Sequence, residues 1–201
     1  MIAIIDYDAG NLRSVEKALQ FLGHETSVTR DRDKILSADK VILPGVGSFG
    51  DAMDKLKSYN LINTINDVAE KNIPFLGICL GLQLLFETSE ESEGVAGLGI
   101  LKGDIVRIPD RNDLKIPHIG WNSLHIMNNG RLFSGIDENS YVYFVHSYYL
   151  RAKDENIVTA VTEYSACIHA SVEKNNIFAC QFHPEKSGAV GLKILENFVS
   201  V

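Results

Sequence analysis

Residues 74–85, Pro74-Phe75-Leu76-Gly77-Ile78-Cys79-Leu80-Gly81-Leu82-Gln83-Leu84-Leu85, decide how this chain folds. The apolar run up to Ile78 has the length of a buried strand, and the residues after Cys79 carry the apolar spacing of a helix. The change of period falls on a cysteine with a glycine two residues to either side, Gly77 and Gly81. A strand that turns straight into a helix holds the residue at the break in a strained conformation, and its neighbours must be small for strand and helix to approach. The arrangement is a cysteine version of the nucleophile elbow. A cysteine at a helix N-terminus faces the positive end of the helix dipole, which favours the thiolate, and the unpaired backbone N–H groups there can hold an oxyanion. An isolated cysteine is more often a small buried core residue. The paired glycines at a strand end lift Cys79 above that reading.

Upstream, short apolar runs alternate with segments at helical spacing: IAIID, then 12–22, ETSVTR, VILPG, 56–69 and PFLGIC. That alternation predicts βαβ units, and parallel strands joined by crossover helices have both faces covered. From about Leu98 the pattern changes to strand-like pieces between turn signals: ILKGDIVRI, YVYFVHSYYL, IVTAVTEY, ACIHASVEKNN and IFACQF. These predict an antiparallel extension, with Asn175-Asn176 as a hairpin turn between 167–173 and 177–182, and a closing helix over 188–199. The expected architecture is α/β: a mostly parallel central sheet, an antiparallel extension and helices on both faces. No repeat, linker or low-complexity tract divides residues 1–201, so a single domain is expected.

With 45% hydrophobic and 22% charged residues over 201 positions, the chain has an ordinary globular composition and the length for one substantial core. The formal net charge of -7 supplies no basic field for a phosphate backbone, so nucleic acid is not an expected partner. The opening MIAIIDYDAG enters an apolar strand without a basic leader region, and no apolar run reaches membrane-spanning length. Cys79, Cys167 and Cys180 form an odd set without paired short spacing, which argues against a disulfide framework and a zinc site. The expectation is a cytoplasmic protein of small-molecule chemistry with no metal and no cofactor.

A cysteine nucleophile needs a histidine, and the histidine an acceptor that fixes its tautomer. Of six histidines, His183 follows the apolar run 177–182 and has Glu185 two positions on. The two side chains share a face if the segment is extended, as Pro184 favours. A lone His-Pro-Glu is a weak signal, because an exposed loop with a solvated pair reads the same; joined to the elbow it points to a triad of Cys79, His183 and Glu185. His24 and His125 read as surface or loop residues, and His118 and His169 carry no assignment. His146 lies in the aromatic run 141–149, by composition an ordinary half-buried strand whose tyrosines read as packing. Gly45-Val46-Gly47 after VILP marks a loop at the carboxyl edge of the sheet, where open α/β folds place ligands, and its glycines let a peptide rotate. Gln83, one helical turn beyond Cys79, faces the same side. Taken alone, Gln83 reads as a solvated helix residue and Trp121 as core.

Together GICLGLQLL and FHPEKS resemble the elbow and the His-Pro-Glu of the triad glutamine amidotransferases. Within that family, DYDAGNLRSV, LPGVGSFGDAM, PHIGWN, YFVHSYY and QFHPEKSG are similar, over nearly the whole chain, to the glutaminase subunits serving imidazole glycerol phosphate synthase in histidine biosynthesis. The resemblance implies a flavodoxin-like three-layer sandwich, glutamine as substrate, and a heterodimer with a (β/α)-barrel cyclase that receives ammonia through an internal passage. It also implies oxyanion donors at Leu80 and the Gly47 loop, glutamine contacts from Gln83, Ser147 and Tyr148, and a docking face bearing Asn11, Trp121 and Lys186. Glutaminases of anthranilate, pyridoxal phosphate or surface-sugar synthesis share the triad, as would a stand-alone cysteine γ-glutamyl hydrolase. PHIGWN and HSYY favour the histidine branch over the first two and leave surface-sugar relatives open. A flavodoxin-like cofactor-binding module would need a phosphate loop after the first strand, where DYDAGNLRS offers one glycine.

Overall fold

Alternate residues of a strand point to opposite faces, and here that alternation divides the apolar residues between two cores. The computed structural model describes residues 1–128 and 130–201. Its first half runs β1 (Ile2–Ile5), α1 (Leu12–Phe21), β2 (Thr26–Thr29), α2 (Arg32–Leu36), β3 (Lys40–Gly45), α3 (Phe49–Ser58), α4 (Leu61–Glu70), β4 (Phe75–Cys79) and α5 (Leu80–Leu84). The second half adds β5 (Thr88–Ser89), β6 (Gly103–Arg107), β7 (His118–Ser123), β8 (His125–Ile126), β9 (Tyr141–His146), β10 (Tyr148–Ala152), β11 (Val158–Tyr164), β12 (Ala166–Lys174), β13 (Ile177–Cys180) and α6 (Gly188–Val199).

Strands β2, β1, β3, β4 and β13 are parallel neighbours in that order, the 2-1-3-4-5 arrangement of flavodoxin-like sheets. Beyond β13 the sheet turns antiparallel through β12, β10 and β6, while β11 and β8 branch from β12. Ala3, Ile5, Val41, Leu43 and Phe75 pack with residues of α2, α3 and α4 on one face. Ile2, Ile4, Ile42, Leu76 and Ile78 pack with residues of α1 and α6 on the other. The result is the expected three-layer sandwich with its antiparallel extension. Among the described residues no helix is long and apolar enough to cross a membrane.

The hairpin is where the Asn pair places it: Lys174 opposes Ile177 across a two-residue turn, and Asn175 takes φ 55°, a left-handed conformation asparagine tolerates. Two expectations need correction. The helical segment 56–69 is two helices, broken at Tyr59 and at Asn60, whose φ of 56° ends α3 before α4 begins. The true start of α3 lies further upstream, where the Ser48 hydroxyl accepts from Asp51 N, an ordinary N-cap. The run YVYFVHSYYL is likewise not one strand: it divides at Ser147 into β9, which pairs with β7 in a separate two-stranded ribbon, and β10, which stays in the main sheet. That division puts His146, Ser147 and Tyr148 beside the carboxyl ends of β3, β4 and β13.

Candidate active site

At the carboxyl end of β4, Cys79 adopts φ 56° and ψ −109°, a conformation that costs a non-glycine residue on the order of 1–3 kcal/mol. The two flanking glycines keep it there. A Cβ on Gly77 would lie 2.7 Å from the Gly81 carbonyl oxygen, and one on Gly81 would run into the Leu43 carbonyl. Strand β4, helix α5 and strand β3 are thus in backbone contact, and Leu80 N, the first amide of α5, is held next to the cysteine. Gly45 serves the same end, since a Cβ there would strike the Tyr7 hydroxyl and Leu80 Cβ. Gly47 differs: space around it is open, but its φ of 101° requires glycine.

His183 and Glu185 are brought together by a turn rather than by strand alternation. The chain leaves β13, His183 stays extended at φ −100° and ψ 96°, and Pro184–Lys186 form one 3₁₀ turn. Proline suits the first position of such a turn, where its missing N–H is not needed and its φ is preset. The Tyr143 carbonyl accepts from His183 N at 2.9 Å, and the Ser187 hydroxyl donates to the His183 carbonyl at 2.6 Å while accepting from Tyr143 N at 2.9 Å. This clamp leaves His183 Nδ1 2.8 Å from Glu185 Oε1, with the two side chains only 2% and 1% exposed. On the other side of the ring, Nε2 is buried and has no hydrogen-bond partner among the described residues; Cys79 lines the same cleft as His183. Burial opposes the imidazolium, but Cys79 and Glu185 on either side outweigh it and push His183 up to about 9.

A cleft of about 420 Å³ opens over Cys79, a size typical of small-molecule sites. Val46, Gly47 and Leu80 line one side; Val145, His146, Ser147 and Tyr148 line another; Gln83, His183 and Lys186 complete the wall. Gln83 is not a solvated helix residue. It is 5% exposed, and its amide donates to the Tyr148 carbonyl at 3.0 Å and to Gln181 Oε1 at 3.1 Å. Gln181 in turn points its amide at Cys79 Sγ, 3.7 Å away. Fully buried at the end of β13, Gln181 was missed in the sequence, though a lone amide two residues before His183 in an apolar strand was its signal. Glu91 was missed as well: it lines the cleft and accepts from Phe49 N at 2.8 Å, closing the start of α3.

Of the three residues expected on a docking face, two meet. Trp121 on β7 is 54% exposed and packs edge-on against Tyr143, with ring centroids 6.1 Å apart. Lys186 Nζ lies 6.0 Å from the centre of the same Tyr143 ring. Asn11 precedes α1 without a side-chain cap hydrogen bond; Gly10 beside it packs near Pro44 and Gly45. Trp121 therefore belongs to the surface, with Ile119 at 59% exposure on the same ribbon.

Residues 3–201 match the family model for glutamine amidotransferase class-I. The chain is 51% identical over 201 residues, 100% of both chains, to the imidazole glycerol phosphate synthase subunit HisH of Methanocaldococcus jannaschii. To the same subunit of Moorella thermoacetica it is 51% identical over 197 residues, covering 98% of this chain and 93% of the other. Its backbone also follows that of PurLQS from Thermotoga maritima, with a TM-score of 0.76 at 23% identity over 99% of this chain and 97% of that one. Another crystal structure of a glutamine amidotransferase gives 0.77 at 18% identity over 100% and 98%; at such identities the likeness is one of fold. Half of all positions shared along the whole length is a likeness of another order, and with it the chain belongs to the class-I glutamine amidotransferase family.

Proposed function

We propose that Cys79, His183 and Glu185 carry out the glutamine hydrolysis of this chain, a glutaminase subunit of imidazole glycerol phosphate synthase acting in histidine biosynthesis. The observation that carries the assignment is the buried His183, bonded to Glu185 through Nδ1 and left with an unpartnered Nε2 beside a cysteine on a strained elbow. The Cys79 thiolate attacks the side-chain carbonyl of glutamine, and the Leu80 amide, with a second donor from the Gly47 loop, stabilises the oxyanion. His183 Nε2–H gives its proton to the departing amine, so ammonia leaves and a thioester remains. The now neutral His183 takes a proton from water, the hydroxide attacks the thioester, and the product leaves as the side-chain carboxylic acid, which loses its proton to solvent to give glutamate, with the thiolate and imidazolium restored. Glu185 holds the ring and offsets its charge without accepting the proton.

Gln83 contacts the glutamine, Ser147 and Tyr148 hold its amino-acid end, and the exposed Ile119, Trp121 and Lys186, with Asn11, form the face on which a (β/α)-barrel cyclase docks in a cytoplasmic heterodimer. That partner uses the ammonia to make imidazole glycerol phosphate and aminoimidazole carboxamide ribotide. Reconstituted complex carrying Cys79→Ala tests the assignment: glutamine-dependent synthesis should be abolished and ammonia-dependent synthesis preserved. Substantial glutamine turnover by that complex overturns it.

A further inference from the structure

Behind the cleft, His118 and His146 form a buried pair, 2% and 6% exposed, that the hydrolysis does not use. Their protons can be located from their partners. His146 Nδ1 is 2.9 Å from the Tyr148 carbonyl, which can only accept, so Nδ1 carries a hydrogen. In a neutral ring Nε2 is then an acceptor, and it lies 3.0 Å from His118 Nδ1, which must donate. His118 Nε2 is left as an acceptor for Asn122 Nδ2 at 3.5 Å. The amide of Asn122 is itself oriented, because Nδ2 donates to the Glu163 carbonyl at 3.0 Å and Oδ1 accepts from Ser123 N at 2.9 Å. Both ends of the chain thus dictate the same direction, from Asn122 through His118 and His146 to Tyr148. A second proton on either ring would set two N–H groups head to head. Burial favours the neutral forms, holding His118 down at about 4 and His146 at about 3. Stacking fixes the ring planes, with His118 3.9 Å from the centroid of Tyr164 and 4.8 Å from that of Phe144.

We propose that Asn122, His118 and His146 are positioning residues for glutamine, forming a one-way hydrogen-bond relay that fixes the Tyr148 carbonyl and, through it, the Gln83 amide at the pocket wall. The Tyr148 carbonyl accepts from His146 Nδ1 and Gln83 Nε2, which occupies both its lone pairs and fixes the orientation of its peptide. The relay starts one residue from the exposed Trp121 and ends in the cleft, so it also spans the wall between the β7–β9 ribbon and the substrate. Its kinetic effect rests on the proposal that Ser147 and Tyr148 hold glutamine; its proton arrangement does not.

The test has two arms. In solution NMR of the full chain at neutral pH with ¹⁵N-labelled histidine, both rings should show the neutral Nδ1–H tautomer, with a coupling across the hydrogen bond from His118 Nδ1 to His146 Nε2. An Nε2–H tautomer on either ring, or a charged ring, overturns the relay. In the reconstituted synthase, His118→Phe keeps the stack with Tyr164 and Phe144 but removes the donor. It should raise KM for glutamine about tenfold, the scale of one buried hydrogen bond lost, with kcat changed far less. His118→Asn, whose amide stands where Nδ1 stood, should recover most of the loss. An unchanged KM in His118→Phe, or an equal loss in His118→Asn, refutes the positioning role. Glutamine turnover by Cys79→Ala would instead defeat the hydrolase reading and leave the NMR arm standing.

Discussion

Gly77→Ala adds one methyl group at the tightest point of the elbow, and its cost follows from three distances. The new Cβ would lie 2.7 Å from Gly81 O, 2.9 Å from Gly81 C and 3.0 Å from Leu82 N, all backbone atoms of α5. A carbon needs about 3.3–3.6 Å from an oxygen, so the helix must retreat by roughly 0.6–0.9 Å. Two effects on stability oppose each other. Replacing glycine reduces the freedom of the unfolded chain, worth about 0.4–1 kcal/mol, whereas overpacking costs typically about 1–3 kcal/mol. Overpacking wins by about 1–2 kcal/mol, which for a chain of this length lowers Tm by about 2–8 °C. Catalysis should suffer more than stability, because the retreating helix carries Leu80 N and the Cys79 backbone with it, and a displacement of about 1 Å at a reacting group can cost about 100-fold. Thermal unfolding by circular dichroism and steady-state glutamine turnover with the partner present check the two halves. Gly77→Ala with unchanged Tm and kcat would show that the crowding has no consequence. Loss of Tm with full kcat would show that the elbow does not set the geometry.

His183→Ala should lower glutamine turnover by about 100 to 10,000-fold, the range of general acid–base catalysis, and by more than Glu185→Gln, which loosens the imidazole without removing it; the reverse ranking in steady-state assays refutes the roles given. Stability should fall on both sides of neutrality. His183 is raised from its ordinary 6.5 to about 9, so its contribution is present in full below 6.5 and is lost as pH rises through about 9, amounting to about 3 kcal/mol at 1.36 kcal/mol per pKa unit. His118 and His146 are lowered by burial, so the unfolded chain takes up their protons first and stability falls as pH drops from 6.5 towards 4. Urea unfolding at a series of pH values reads both limbs, and a midpoint that climbs from pH 7 to 9 contradicts the alkaline one. The isolated chain should be a poor glutaminase that the cyclase activates by orders of magnitude, since one oxyanion donor is worth about 100 to 1,000-fold and the loop at Gly47 is exposed, with open space around it. Full activity without a partner rules this out.

The parts of the site that could be read in the sequence are those where one residue type is forced by backbone geometry. Gly77 and Gly81 announce the elbow around Cys79 because a Cβ at either would strike the backbone where β3, β4 and α5 meet. His183 and Glu185 are legible because a proline turn keeps their relation local, although the turn proved to be 3₁₀ rather than extended. What escaped depends on contacts between distant segments. The run YVYFVHSYYL reads as one strand because strand-forming residues lie on both sides of His146-Ser147, and the passage at Ser147 from the β7–β9 ribbon to the main sheet is set by pairing with the distant β7 and β6. Taken alone, Gln83 reads as solvated because its partners, Tyr148 and Gln181, come from 65 and 98 residues further on, and the family resemblance is what put it at the site. Trp121 reads as core by type and is exposed in fact, because the ribbon that carries it has one uncovered face. The start of α3 was legible but overlooked: Ser48 followed three residues later by Asp51 is a capping signal.

The backbone at Cys79 sets a limit on how this chain can be improved. Glycine tolerates φ 56° with ψ −109° where cysteine is strained, so a chain with glycine at this position relaxes the elbow and loses the proposed nucleophile in one step. Selection for heat resistance alone, in the laboratory or in a hot habitat, therefore gives the cysteine no protection. A screen for sturdier variants should therefore also demand glutamine turnover.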